Sequence, residues 1–171
     1  MNHTKFLGLL SVVALLLCGT ASAQTITSAK GNIVVTKQVV GELAVVWTES
    51  GLVPNDWVSY LINGNVTATY ACSTGSAATA MAPVGGPLSE GVAVIASSNG
   101  TIRKTVGVNA ADAGTLASAC SGNLLLYQVS YTGMNICDVT NNLLPCTTVG
   151  SGNFTKTFCN LNKNPRNCPP A

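Results

Sequence analysis

Charged residues are scarce in this sequence. They make up 8% of its 171 residues, with eight Lys and Arg against six Asp and Glu, whereas about 25% is usual for a soluble protein. Binding to nucleic acid or to an anionic membrane requires a basic patch, and no run of basic residues is present. We therefore expect no nucleic acid and no membrane insertion. The partner itself stays unknown: another copy of the chain, a cell-surface component and a glycan all remain open.

The sequence also lacks an apolar run of the roughly 20 residues that a membrane-spanning helix needs. Its most apolar stretch, residues 6–18, precedes Ala21-Ser22-Ala23, the small-x-small pattern of a signal-peptidase site. Cys18 would also allow a lipoprotein signal, but the bulky Leu17 before it fits that cleavage poorly. We predict that residues 1–23 are a signal peptide, so that the protein is secreted to the extracellular space or the periplasm.

Histidine is missing from the predicted mature chain, since the only one is His3. Without histidine there is no Ser-His or Cys-His nucleophile pair and no common metal ligand. The acids follow no D-x-D or E-x-E spacing, so we predict that each is a solvated surface or turn residue. They are Glu42, Glu49, Asp56, Glu90, Asp112 and Asp138. No calcium loop or phosphate-binding glycine loop appears. We predict that the protein is not an enzyme and has no catalytic residue, metal or cofactor.

Six of the seven cysteines follow the predicted leader. They are Cys72, Cys120, Cys137, Cys146, Cys159 and Cys168. An even number in an exported chain indicates disulfide bonds, because such compartments are oxidising.

The cysteine spacing favours one set of pairs. A turn at Asn141-Asn142 would place Cys137 opposite Cys146, although Pro145 argues against a strict two-residue turn. A Cys159–Cys168 pair would clasp the end of the chain, which leaves Cys72–Cys120. Other connectivities of six cysteines remain open.

The stretch 57–72, "WVSYLINGNVTATYAC", is the most informative segment. Its even positions, from Val58 to Cys72, are apolar, and its odd positions are mostly polar, which is typical of a half-buried strand. Asn63-Gly64 is by itself a strong hairpin signal, but a hairpin there would mix apolar and polar partners on one face. We favour one long strand, bent or bulged at Gly64, over a hairpin.

Other segments predict further strands. Two lie near 32–40 and 42–49, with a break around Gly41. The runs "LSEGVAVIAS" and "TIRKTVGVN", joined by "SNG", predict a hairpin, whereas 73–87 is expected to be a loop and 109–123 a loop or a short helical turn. The run "LLLYQVSYTGMNICDVT" predicts a long strand whose inward side chains are Leu125, Tyr127, Val129 and Tyr131.

Together these patterns predict an all-β fold. Strands separated by turn signals, with no amphipathic helix, favour an immunoglobulin-like β-sandwich of about six to eight strands, stabilised by disulfides. Residues 24–158 would form this single domain, and residues 159–171 would be a disulfide-clasped C-terminal tail.

The odd positions of the long strand form the candidate ligand surface. An exposed Trp57 would offer a flat ring for stacking on a sugar, with Asn63 and Asn65 on the same face as hydrogen-bonding groups. The alternative is that both Trp57 and Trp47 fill the core or cap its ends, as large aromatic side chains commonly do. Glycosylation acceptor patterns begin at Asn65, Asn99 and Asn153.

The sequence resembles a group of small exported bacterial proteins of unassigned function. The shared features are a strand ending in Tyr-Ala-Cys ("TATYAC"), the Gly-Pro-containing loop "GGPLS", an Asn-Gly hairpin ("SSNGT"), a second cysteine, and a Val-Ser-Tyr-Thr strand. The resemblance covers roughly residues 43–139. It implies a secreted β-sandwich with a Cys72–Cys120 bridge, and it implies no activity.

Three functions are consistent with these observations. The first is a non-enzymatic extracellular protein with a structural, adhesive or self-assembling role. The second is a carbohydrate-binding module that uses Trp57. The third and weaker one is a secreted enzyme inhibitor that presents a disulfide-held loop, either 73–87 or 160–167.

Overall fold

The computed structural model of the protein describes residues 23–36, 40–75, 77–163 and 167–171. The predicted signal peptide, apart from Ala23, lies outside these residues. The described residues form nine strands and one short helix. These are β1 (Thr25–Val35), β2 (Val40–Ser50), β3 (Trp57–Thr74), β4 (Ala77–Ala80), β5 (Val84–Ile95), β6 (Thr101–Val108), α1 (Leu116–Ala119), β7 (Asn123–Asp138), β8 (Thr147–Thr148) and β9 (Phe154–Thr157).

The strands form two antiparallel sheets, which confirms the all-β class. The smaller sheet has the order β1-β2-β6. In the larger sheet β3 and β7 pair at the centre, β4 and β5 pair with the other edge of β3, and β8 and β9 pair with the other edge of β7. The strand count exceeds the predicted six to eight, because three of the nine strands are only two to four residues long.

The inner faces of the two sheets share one hydrophobic core. Trp47 of β2 and Tyr60 of β3 meet edge to face, with 4.9 Å between ring centroids, and both are almost fully buried. Each large apolar side chain buried in this way contributes about 1.5–3 kcal/mol. The Tyr131 hydroxyl on β7 lies 2.7 Å from the carbonyl oxygen of Gly41 and 2.9 Å from that of Val108, so it also ties the larger sheet to the smaller one.

The segment 57–74 is a single strand, as predicted. Its pairing with β5 runs without interruption from Trp57 to Ala68. The irregularity lies opposite Gly64: between Asn63 and Asn65 the register with β7 shifts by one residue. The bulge is therefore on β7, beside Gly64 rather than in the long strand itself.

The predicted hairpin between 88 and 108 is wrong. β5 pairs with β3 in the larger sheet, and β6 pairs with β2 in the smaller one. The turn between them, in which the Gly100 amide donates to the Ser97 carbonyl, carries the chain from one sheet to the other. Both runs have the right alternation for a strand, but alternation does not identify a strand's partner.

Two predicted boundaries also differ from the structure. The stretch 73–87, expected to be a loop, forms β4 and the beginning of β5, both hydrogen-bonded to β3. Small residues such as Ala and Gly have weak strand propensity, so pairing with β3 rather than local preference orders the 73–87 stretch.

The first strand begins already at Thr25. Gly41, where a break between strands was predicted, lies inside β2 with a φ of 84°.

The inward side chains of β7 were half correctly predicted. Val129 and Tyr131 are fully buried. At Tyr127, however, the register with β3 shifts again, and Leu126 instead joins a small buried cluster with Tyr70. Leu125 is buried at a different place, where it forms an isolated bridge with Pro170.

All three disulfides have the pairing that the spacing favours. Cys72 is bonded to Cys120, Cys137 to Cys146, and Cys159 to Cys168. The first bond ties the end of β3 to the segment that follows α1. The second joins the end of β7 to the residue before β8.

Candidate functional site

The outward side chains of the larger sheet form a broad surface, here called the outer face. They alternate with the core positions of β3, and their strand partners lie on the same side of the sheet. The outer face consists of Trp57, Ser59, Leu61, Asn63, Asn65, Thr67 and Thr69 of β3; Gly85, Pro87, Ser89, Gly91, Ala93 and Ile95 of β5; Gln128, Ser130, Thr132, Asn135 and Cys137 of β7; and Thr148, Thr155 and Thr157 of β8 and β9.

None of these positions carries a charged side chain. Hydroxyl and amide groups fill most of the outer face, and several bond to one another across strands. Gln128 Nε2 donates to Thr157 Oγ1 at 2.9 Å, and the hydroxyls of Ser130 and Thr155 are also 2.9 Å apart. The outer face is therefore polar but uncharged, with part of its hydrogen-bonding capacity already used within the sheet.

Trp57 lies at one end of the outer face and is 59% exposed. Its strand partner Ile95 is 49% exposed, and Val139, just beyond β7, is 50% exposed. Trp47, in contrast, is fully buried. One tryptophan is thus exposed and the other lies in the core, so the two do not both fill the core.

The structure does not bring Trp57 together with the two predicted asparagines. Asn63 lies six positions along the strand, about 20 Å away at the usual rise per residue. Its side chain is engaged within the protein: Oδ1 accepts a hydrogen bond from Ser89 Oγ at 3.1 Å, and Nδ2 approaches Cys137 Sγ at 3.7 Å. Asn65 is exposed, farther still from the ring. Trp57 would therefore act with its near neighbours.

A shallow depression lies on the same face, two residues along β3 from Trp57. Its lining includes Ser59, Leu61, Gly91, Ala93 and Val139, but not Trp57 itself. A Cβ added at Gly91 would meet no atom within 4 Å, so this glycine leaves open space beside the strand. Ring and depression together make one apolar end on an otherwise polar surface.

Two acids are buried, contrary to the prediction that all six are solvated. Glu49, near the end of β2, is 0% exposed, and Asp138, the last residue of β7, is 1% exposed. The Tyr60 hydroxyl donates to Glu49 Oε2 at 2.7 Å. Glu49 follows Val45 and Trp47 on the inward alternation of β2, which is the sequence signal for its burial.

The environment of Glu49 disfavours its charged form. The pKa of Glu49 is raised from an ordinary value near 4.5 to about 7. Burial is the largest cause, the charge and hydrogen bonding of Asp138 act in the same direction, and the Tyr60 hydrogen bond opposes them. Burial also raises the pKa of Tyr60. The two carboxyl groups are thus neighbours, but their enclosure offers a substrate no access to them.

The two segments proposed as inhibitory loops stand differently in the structure. Residues 73–87 lie largely in β4 and β5, paired with β3. The segment 160–167 falls partly outside the described residues. Across the described part of the chain, no cluster of three or more His, Cys, Asp or Glu side chains is placed to hold a metal ion.

Comparison with known proteins identifies no relative: no family model, no curated protein and no solved structure matches the chain. Among the described residues, no helix has the length and apolar character needed to cross a membrane. A functional interpretation must therefore come from the outer face and from the buried acids.

Proposed function

We propose that the protein is secreted and has a structural, adhesive or self-assembling role outside the cell, without catalytic activity. Three disulfides are compatible with an oxidising extracellular compartment, and the pattern of residues 1–23 supports export. We also propose membership of the group of exported proteins that the sequence resembles.

We infer an immunoglobulin-like sandwich as the finer description of the fold. The pairing supports this: β2 pairs with β6 in one sheet, and β3 pairs with β7 in the other. In an immunoglobulin domain strands B and E pair in one sheet and strands C and F in the other. The four strands follow in the same chain order, B-C-E-F, as β2, β3, β6 and β7.

The observation that carries the proposed role is the uncharged outer face. A sheet surface that packs against another copy of itself must avoid placing like charges opposite each other, since such pairs are destabilising. The outer face meets this condition at every position. The apolar end at Trp57, Ile95 and Val139 adds exposed hydrophobic area, which often marks an interaction surface.

A pair of lysine substitutions tests this role. Thr67→Lys places a charge in the middle of the outer face, whereas Thr105→Lys adds the same charge at an exposed position of β6 in the smaller sheet. We expect light scattering of the unmodified protein to increase with concentration. Thr67→Lys should raise the protein concentration needed for association by about tenfold or more, equivalent to ~1.4 kcal/mol. Thr105→Lys should leave that concentration nearly unchanged. A protein that stays monomeric would contradict self-assembly, and equal effects of the two variants would contradict association through the outer face.

A carbohydrate-binding module is the second candidate, favoured by the exposure of Trp57. A ring that is 59% exposed offers a stacking platform, and a shallow depression lies on the same face. On a glycan array Trp57→Ala should abolish binding, Trp57→Phe should retain part of it, and Ile95→Ala should have the smaller effect, because Ile95 supplies no ring. An array without any bound glycan would exclude the carbohydrate-binding module but not the structural, adhesive or self-assembling role.

A further inference from the structure

The buried acids lie where the two sheets meet. Glu49 belongs to β2 of the smaller sheet, whereas Tyr60 and Asp138 belong to β3 and β7 of the larger one. Tyr60 and Asp138 are themselves register partners. Any hydrogen bond between Glu49 and these two residues therefore joins one sheet to the other.

The hydrogen bonds around the two carboxyl groups leave one oxygen without a donor. Glu49 Oε2 accepts from the Tyr60 hydroxyl, but Oε1 is buried and has no hydrogen-bond partner among the described residues. The Asp138 carboxyl accepts from the backbone amide of Asn141 at 2.9 Å and from the Asn141 side chain. Asp138 thus has the partners expected of an ionised carboxylate, whereas Glu49 does not.

Within the part of the chain that the structure describes, no positive charge offsets this arrangement. The register partners of Glu49 on β1 and β6 are Ile26 and Ile102, both apolar. On β3 and β7 the groups that act on Glu49 are the Tyr60 hydroxyl and the Asp138 carboxyl. The basic side chains of β6, Arg103 and Lys104, are exposed to solvent. Two neighbouring buried carboxylates without a cation are strongly disfavoured.

We propose that Glu49 and Asp138 share one proton, carried on Glu49, and that this proton joins the two sheets and makes the folded protein most stable in acid. The protonated Oε1 donates to the Asp138 carboxylate, which supplies the hydrogen bond that Oε1 otherwise lacks. Loss of the proton leaves two buried negative charges facing each other at this junction.

The direction of the pH dependence follows from the difference in the pKa of Glu49 between the unfolded and the folded chain. In the unfolded chain Glu49 ionises near its ordinary pKa of about 4.5, and in the folded protein near 7. Between these values only the folded protein holds the proton, so the ratio of folded to unfolded protein falls as pH rises. We expect the ratio of folded to unfolded protein to fall about a hundredfold between pH 5 and pH 8, at up to roughly tenfold per pH unit. Above pH 8 the ratio should change little.

Urea unfolding across pH 5 to 9 tests the proposal on the unmodified protein. Glu49→Gln cannot titrate at this position, so its stability should lose most of the dependence on pH and should exceed that of the unmodified protein at pH 8. Glu90→Gln removes an exposed carboxylate of β5 and should keep the full dependence. Stability that is constant or increases between pH 5 and pH 8 in the unmodified protein would overturn the proposal, whether or not the variants fold.

A second measurement locates the proton. Infrared spectroscopy at pH 6 should show the band of a protonated carboxyl group that disappears with a midpoint near pH 7, and Glu49→Gln should lack it. In Trp57→Phe the remaining tryptophan, Trp47, lies beside the cluster, so its fluorescence should change with the same midpoint. A spectrum with only ionised carboxylates at pH 6 would refute the shared proton, because Glu49 would then be charged and hydrated.

Discussion

Gly64 shows how a single missing side chain allows the two central strands to approach. A Cβ at this position would lie 2.4 Å from Met134 Sδ and 3.0 Å from the Thr132 carbonyl oxygen. Met134 is fully buried and the carbonyl is backbone, so little can move away. We expect Gly64→Ala to reduce the free energy of unfolding by about 1–3 kcal/mol, the usual cost of overpacking.

Gly91→Ala is the matched control for Gly64→Ala. Gly91 lies on the neighbouring strand β5, and its added Cβ would contact nothing within 4 Å. The free energy of unfolding of Gly91→Ala, measured in urea, should stay within about 0.5 kcal/mol of that of the unmodified protein. Equal losses in the two variants would show that the bulge on β7 is not what requires glycine at residue 64.

At the residue scale, the sequence left the exposure of Trp57 open and wrongly predicted a solvated Glu49. Both positions follow the alternation of their strand, which places Trp57 outside and Glu49 inside. Glu49 was nevertheless expected to be solvated, because the acids lie singly in the sequence without a paired spacing. Burying a charge is costly unless a partner is present. The partners, Tyr60 and Asp138, come from two other strands, and alternation within β2 does not reveal them.

At the scale of elements, the sequence likewise identifies strands but not the strands with which they pair. The alternation of residues 57–72 is a local property, and β3 was predicted as one strand. Which strands pair depends on how residues far apart in the sequence pack together. Local patterns do not show this, and the prediction wrongly joined β5 and β6 in a hairpin. The bulge at Tyr127 is a further case: one extra residue reverses the inward and outward positions, and nothing near Tyr127 in the sequence marks it.

The disulfides should differ in how strongly they stabilise the fold. Cys72–Cys120 closes a separation of 48 residues, whereas the other two bonds each close 9. In the chain-entropy account a longer closed loop restricts the unfolded state more, which gives about 4 kcal/mol for the first bond and about 2.5 kcal/mol for each of the others. Paired Cys→Ala variants, compared by urea unfolding, should follow this order. A loss for Cys72–Cys120 no larger than for Cys137–Cys146 would contradict it.

For the whole molecule, the scarcity of charge determines how an assembly should respond to salt. Salt screens the interaction between exposed charges that are farther apart than the Debye length, which is about 10 Å at 0.1 M and about 3 Å at 1 M ionic strength. The outer face carries no charge to screen. If copies associate through this face, raising sodium chloride from about 0.05 to about 0.5 M should not weaken association. Association in which Arg103 and Lys104 of β6 pair with acids of another copy would weaken instead, because salt screens the attraction between opposite charges.

Sedimentation velocity at several salt concentrations checks this expectation, with Thr67→Lys as the internal comparison. Because both copies carry the substitution, it places two like charges within the contact, so this variant alone should associate better as salt rises and screens the repulsion. The unmodified protein and Thr105→Lys should keep nearly constant sedimentation coefficients. Association of the unmodified protein that weakens markedly with salt would place the contact on a charged surface and exclude the outer face.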